Sequence, residues 1–159
     1  MAERSSGIGK AKELEVASAF AKHGLLVYVP LLDVGADLVV GNATLKRLIP
    51  VQVKYRANDP GLALERKFVE AFAGTDLFIA FLIGEKSWFI PIARFRERMK
   101  DRSRRDGKVY ITVSEERSWL KQFEGLSGIR LLSKTLSSNR AVENDAPRAS
   151  LARAFHRGR

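Results

Sequence analysis

Three side chains stand out for the chemistry they could share: an aspartate at 37, a glutamine at 52 and a lysine at 54. Gln52 and Lys54 sit in I49-P50-V51-Q52-V53-K54-Y55. Alternation there puts Ile49, Val51, Val53 and Tyr55 on one face of a strand and leaves an amide and an ammonium side by side on the other. Asp37 opens A36-D37-L38-V39-V40, fifteen residues before Gln52. If the two strands form an antiparallel pair through the turn region G41-N42-A43-T44, a carboxylate, an amide oxygen and a cationic nitrogen converge on one patch. Mg²⁺ takes hard oxygen ligands, one or two from protein and the rest from water and phosphate. Asp37, the Gln52 side-chain carbonyl and the main-chain carbonyl of Val53 are therefore candidate ligands. The matching reaction is hydrolysis of a phosphodiester, with Lys54 orienting the attacking water or neutralising charge on the phosphorane. Taken singly, Gln52 and Lys54 also suit a solvated strand face, and Asp37 a turn residue that caps its own backbone.

The elements that have to position these residues show as hydrophobic patterns. From Lys10 to Lys22 the residues Leu14, Ala17, Phe20 and Ala21 recur at three- and four-residue steps, and Gly24 stands where a C-cap falls, which predicts an amphipathic helix. Residues 25–30 and 36–40 predict strands joined by a loop around Asp33 and Gly35, and residues 48–56 a third strand. N58-D59-P60-G61 punctuates the chain, and Leu64, Phe68, Val69 and Phe72 give residues 62–73 a helical spacing. Residues 77–83 and 87–92 predict a hairpin across G84-E85-K86. A helical start over 94–105, a short strand at 108–113, a short helix at 115–123 and a last strand at 129–132 follow. From Ser133 the composition shifts to Ser, Asn, Ala and Arg without periodicity. The expected division is one α/β domain over residues 1–132 and a basic, flexible tail over 133–159, with a helical turn or two from Ser150 to His156. The architecture expected is a mixed central sheet flanked by helices.

The 159 residues carry 28 Lys and Arg against 18 Asp and Glu, a net charge of +10, which makes a polyanion the expected partner. The absence of cysteine excludes disulfides, thiol chemistry and cysteine-ligated zinc. M-A-E-R-S-S-G-I-G-K has no apolar h-region, and the longest apolar run, residues 77–83, is far below the roughly 20 residues of a spanning helix. An intracellular, nucleoid-associated protein of the cytoplasm is expected, with no membrane partner.

The runs G24-L25-L26-V27-Y28-V29-P30, G35-A36-D37-L38-V39-V40 and V51-Q52-V53-K54, followed by W88-F89-I90-P91, resemble the core of the PD-(D/E)XK nuclease superfamily. Within it they resemble the group that includes archaeal Holliday-junction resolvases and intron-encoded homing endonucleases. The resemblance covers residues 7–92. It implies a restriction-endonuclease-like fold, its core ordered helix, three strands, helix, strand, with C-terminal additions, and an endodeoxyribonuclease dependent on Mg²⁺ or Mn²⁺. It implies the family's metal-binding aspartate at Asp37, its third-strand acid at the place of Gln52 and its lysine at Lys54. Its first-helix glutamate, facing the metal, is implied at Glu13, with Glu15 as the alternative. The chain departs from the pattern twice. An amide stands in place of the third-strand acid, which keeps an oxygen and removes a charge, and Ala36 rather than proline precedes Asp37.

Between Arg94 and Lys108 there are eight basic residues against three acids, and from Lys134 to Arg159 six against two. Arg56, Arg94, Arg96, Arg98, Lys100, Arg102, Arg104 and Arg105 are the candidate phosphate contacts for DNA. Cutting two strands needs two sites, so a homodimer is expected. The rival readings are a nuclease-fold module that binds DNA without cutting, and a basic interaction protein. G7-I8-G9-K10 lacks the spacing and the preceding strand of a phosphate loop and reads as a flexible lead into the helix, while His23 and His156 have no metal-ligand companions.

Overall fold

A 21-residue helix, α1 (Ala2–Lys22), begins the fold and stops at Gly24, whose φ of +76° suits glycine and strains other residues. The Leu25 N–H turns back to the Phe20 carbonyl at 3.2 Å, closing the helix end in a Schellman arrangement. The computed structural model describes residues 2–31, 35–57, 61–101 and 107–138. Helix α1 starts eight residues before the expected Lys10, so G7-I8-G9-K10 is helical and is not a flexible lead. Burial of Val16 and Phe20 further along anchors the helix, and extension back through two glycines then costs only about 1 kcal/mol each. Leu14, expected on the apolar stripe, is 58% exposed, because the inward face runs through Val16 and Phe20.

The central sheet runs β1 (Leu26–Tyr28), β2 (Leu38–Gly41), β3 (Leu48–Arg56), then β5 (Phe78–Ile83) and β6 (Lys86–Pro91), in the order β1-β2-β3-β5-β6. All neighbours are antiparallel except β3 and β5, so the sheet is mixed. On one face α1 packs with Leu38, Val40, Ile49, Val51 and Val53, and Phe20 meets Phe89 with ring centroids 5.2 Å apart. The other face carries a second core, built from Ile79, Phe81, Trp88 and Ile90 against Leu62, Leu64, Val69, Phe95 and Phe123. The indole Nε1 of Trp88 is buried there without a hydrogen-bond partner among the described residues.

That second core rests on elements the sequence reading had otherwise. Residues 62–65, expected in the helix, belong instead to β4 (Gly61–Glu65), and α2 (Arg66–Phe72) starts only afterwards. Leu62 and Leu64 alternate with Gly61 and Ala63 and are buried, so the period of two wins over the helical spacing that begins at Leu64. Helix α3 (Ile92–Arg98) leads into β7 (Lys100–Asp101), and β4 pairs with β8 (Lys108–Thr112), giving a second sheet in the order β4-β8-β7. The single helical turn α4 (Arg117–Leu120) and a 3₁₀ turn, Lys121–Phe123, cover residues expected as one helix. Among the described residues no helix is long and apolar enough to cross a membrane.

The last strand expected at 129–132 is instead part of α5 (Gly125–Ser137). Ile129, Leu132 and Leu136 are buried at helical spacing, so α5 continues past position 132 to Ser137. Arg47 closes this end: its Nη1 donates to the Thr135 and Ser138 carbonyls at 2.6 and 3.2 Å, and its other nitrogen pairs with Asp76. A cation on the last carbonyls of a helix also meets the negative end of its dipole. The tail from 139 lies outside the described residues.

Near the start of α5, a Cβ added at Gly128 would sit 2.2 Å from the Phe123 carbonyl oxygen and 2.9 Å from Phe89 Cβ. Neither backbone nor a sheet-borne Cβ can move aside cheaply. Gly128→Ala is expected to destabilise the protein by about 2 kcal/mol and to lower Tm by roughly 6 °C, against the small gain Ala brings to an open helix position. A melt of the variant that matches wild type would show that α5 packs less closely than this.

Candidate active site

Asp37 reaches its place through sheet register. Leu38 pairs with Val51, and the Asp37 N–H donates to the Val51 carbonyl at 3.0 Å, which sets Asp37 opposite Gln52 on β3. The turn between β2 and β3 is tightened by Asn42, whose Oδ1 accepts from the Thr44 N–H at 3.2 Å and from its hydroxyl at 2.6 Å. Asp37 Oδ2 accepts a hydrogen bond from the Val53 N–H at 2.7 Å and another from Gln52 Nε2. Gln52 is 8% exposed and is the buried polar residue of the described chain. Its Nε2 also lies 3.5 Å from the Val53 carbonyl oxygen. Toward Asp37 the amide thus acts as a donor, where an acid at the same place would repel.

Asp37, Gln52 and Lys54 line one cavity of about 400 Å³, together with Gly35, Leu64, Glu65 and Phe68. Lys54 is exposed, and among the described residues no carboxylate pairs with it. Gly35, at φ +82°, lets the chain turn into β2 under α2: a Cβ there would lie 2.8 Å from the Phe72 ring. The expected antiparallel pairing of the two site strands, and the meeting of the three side chains, are both present.

Glu13 stands apart from this set. It does not line the cavity; its carboxylate accepts from Lys10 Nζ at 2.6 Å. The same hydrogen bond, with the charge of Glu13 and more weakly that of Asp37, holds the Lys10 ammonium above its ordinary value, partly offset by desolvation. Lys10 therefore lies within the field of Asp37 and links α1 to the site. Glu15 pairs with Lys12, which lies over the Tyr55 ring, 5.1 Å from its centroid. Of the two glutamates, Glu13 is the one whose lysine partner feels the charge of Asp37.

Among the described residues no three His, Cys, Asp or Glu side chains group to hold an ion. The oxygens that the expected ligands bring are the Asp37 carboxylate, the Gln52 amide oxygen and the Val53 carbonyl. One carboxylate with neutral oxygens fits Mg²⁺, which keeps several waters and completes its shell with phosphate. Sequence reasoning missed Glu65, whose signal was faint: an acid directly after the alternating Leu62 and Leu64 and directly before a helix.

The expected phosphate contacts fall into two groups. Arg56 is exposed two residues beyond Lys54 on the same face of β3. Arg94 pairs with Glu97 at 2.7 Å, Arg96 with Glu70 at 3.2 Å, Arg98 with Glu116 at 3.7 Å and Lys100 with Glu115 at 2.8 Å, so these four cations are already matched by carboxylates. Exposed pairs of this kind contribute little to stability. Arg102, Arg104 and Arg105 lie outside the described residues.

The site face continues into an apolar groove. Leu48, Pro50, Gln52 and Lys54 alternate onto one side of β3. Leu48 joins Tyr28, Val29, Pro30, Val39 and Leu45 in a groove of about 300 Å³. Leu45 and Leu48 are 51% and 50% exposed, and Leu45 holds a φ of 53°, costly for a branched side chain.

No family model matches the chain, and no curated protein does. Among solved structures, the chain is similar to Hjc, a Holliday junction resolvase from the archaeal hyperthermophile Archaeoglobus fulgidus, with a TM-score of 0.54 at 16% identity, over 76% of this chain and 93% of that one. The fold is accordingly the restriction-endonuclease-like one that the resemblance implied, a mixed sheet flanked by helices.

Proposed function

We propose that this protein is a DNA endonuclease that hydrolyses phosphodiester bonds with Mg²⁺ or Mn²⁺, acting on branched DNA or at a specific site. The observation that carries the reading is the convergence of Asp37, Gln52 and Lys54 on one cavity, within a fold shared with a Holliday junction resolvase. Asp37, the Gln52 side-chain oxygen and the Val53 carbonyl are the residues to hold the ion, with Glu13 assisting from α1. When bound, Mg²⁺ supplies Lewis-acid polarisation of the phosphate and a water of lowered pKa. Val53 N–H and Gln52 Nε2 keep the Asp37 carboxylate oriented before any substrate arrives, so little reorganisation is left for the moment of reaction. Lys54 sets its ammonium beside the scissile phosphate, where negative charge builds. Arg56, next along the same face, takes a neighbouring phosphate and fixes the register of the backbone.

Cleavage of both strands of a junction or duplex calls for two copies. The groove beside the site is the face for the second copy, because a strained, half-exposed Leu45 and a continuous apolar surface are costly on a monomer. Leu48 lies about 13 Å along β3 from Gln52, so two copies joined there bring their sites onto one DNA segment. Leu48→Glu is expected to shift a sedimentation profile from dimer to monomer while the melting temperature of the monomer stays near wild type. Wild-type protein that sediments as a monomer at tens of micromolar refutes this assembly.

A second reading, a DNA-binding module that does not cut, draws on one observation: the Gln52 amide satisfies Asp37 with no ion required. Purified protein incubated with supercoiled plasmid and with four-way junctions in Mg²⁺ or Mn²⁺ separates the two. Nicking or junction cleavage that EDTA stops supports the endonuclease; binding without cleavage under every condition supports the module.

A further inference from the structure

We infer that Glu65 is a cation-binding carboxylate of this site and restores the negative charge that the third strand lacks with glutamine at 52. The inference rests on the endonuclease reading and adds a residue from a different sheet. Glu65 ends β4 and lines the same cavity as Asp37, Gln52 and Lys54. It stands directly before α2 and makes no capping hydrogen bond there, as expected of a glutamate, whose side chain is longer than those that cap helices. Among the described residues its carboxylate has no ion pair or side-chain partner. An unpaired acid on the wall of a cavity that also holds Asp37 and Gln52 is available to a ligand.

The position is rigid. On β4, Glu65 pairs in register with Lys108 of β8; the next residue, Arg66, donates its N–H to the Gly107 carbonyl at 2.9 Å and pairs its guanidinium with Asp101. Leu64 and Phe68, either side of Glu65, form the apolar wall of the cavity. The backbone is therefore held by β8 and by the Arg66 N–H while the carboxylate is left to turn. Charge supplies the reason for a ligand. Asp37 brings a single negative charge, and one of its oxygens already accepts from Val53 and Gln52. A divalent ion beside phosphate gains most from a second carboxylate, and the second sheet carries one to the same cavity. The relocation also explains how glutamine is tolerated at 52: with the second acid supplied from β4, Gln52 serves to orient Asp37.

The test is Mn²⁺ binding by the full chain without DNA, followed from the free Mn²⁺ signal in electron paramagnetic resonance. Glu65→Gln is expected to weaken Mn²⁺ binding at least tenfold while its melting temperature in EDTA stays within a degree or two of wild type, and Glu65→Asp to recover part of the affinity. A merely structural glutamate would move the melt in EDTA instead. Wild-type Mn²⁺ affinity in Glu65→Gln, alongside a clear loss in Asp37→Asn, overturns this inference and leaves the endonuclease reading standing. A wild-type protein that binds no Mn²⁺ and cuts no DNA overturns both.

Discussion

Lys54→Ala is expected to reduce plasmid nicking and junction cleavage by two to three orders of magnitude, or about 3–4 kcal/mol of transition-state stabilisation, with the fold intact. The size follows from position. Lys54 lies on β3, the middle strand of the sheet, in register with Phe81 on β5, so its backbone is held by the ladder. The side chain itself is exposed and meets no carboxylate among the described residues, so its removal breaks no ion pair and leaves no buried charge. DNA affinity should fall only modestly, and the slope of log affinity against log salt by about one, as for the loss of a single phosphate contact. Gel-resolved cleavage at saturating Mg²⁺ beside a binding titration separates these effects. Equal cleavage by variant and wild type would remove Lys54 from the chemistry.

Gln52→Glu should act in opposite directions with and without metal. In EDTA the substitution removes a donor from Asp37 and places a second carboxylate against it at a site only 8% exposed, an expected cost of about 3 kcal/mol. The like charges make the folded variant hold a shared proton more tightly than the unfolded chain does. Its stability in EDTA therefore rises as the pH falls toward the carboxylate range, opposite to the trend for a carboxylate stabilised by a cation. In Mg²⁺ the added charge should tighten binding at least tenfold, and an ion present at a hundred times its Kd returns about 2.7 kcal/mol. Melting curves of variant and wild type in EDTA and in Mg²⁺ check both signs. A variant as stable as wild type in EDTA would show that the Gln52 N–H does not hold Asp37 in place.

The half of the fold that bears Asp37, Gln52 and Lys54 was readable because it is local. β2 and β3 are joined by a short polar turn, the alternation of Ile49, Val51 and Val53 allows one register, and the glycine at 24 marks the end of α1. The second sheet was not readable, for equally physical reasons. β4 pairs with β8 across more than forty residues, β7 is two charged residues with no hydrophobic pattern, and Leu64 satisfies a strand period and a helical one at once. Glu65 was hidden with it. The misreading at 129–132 has the same origin: a short apolar run does not reveal its period until Leu136 extends it. Ion pairing of Arg94, Arg96, Arg98 and Lys100 was equally invisible, since their partners Glu70, Glu115 and Glu116 come from other elements, Glu97 apart.

Both tryptophans, Trp88 and Trp119, belong to the core beneath the second sheet, and none lies among the residues that pack α1 onto the other face. Intrinsic fluorescence therefore reports the environment of one core and is silent on its twin, whereas far-ultraviolet ellipticity is dominated by α1 and α5. Recording the two signals on the same sample turns an accident of composition into a gauge of whether the halves of this molecule come apart together or in turn.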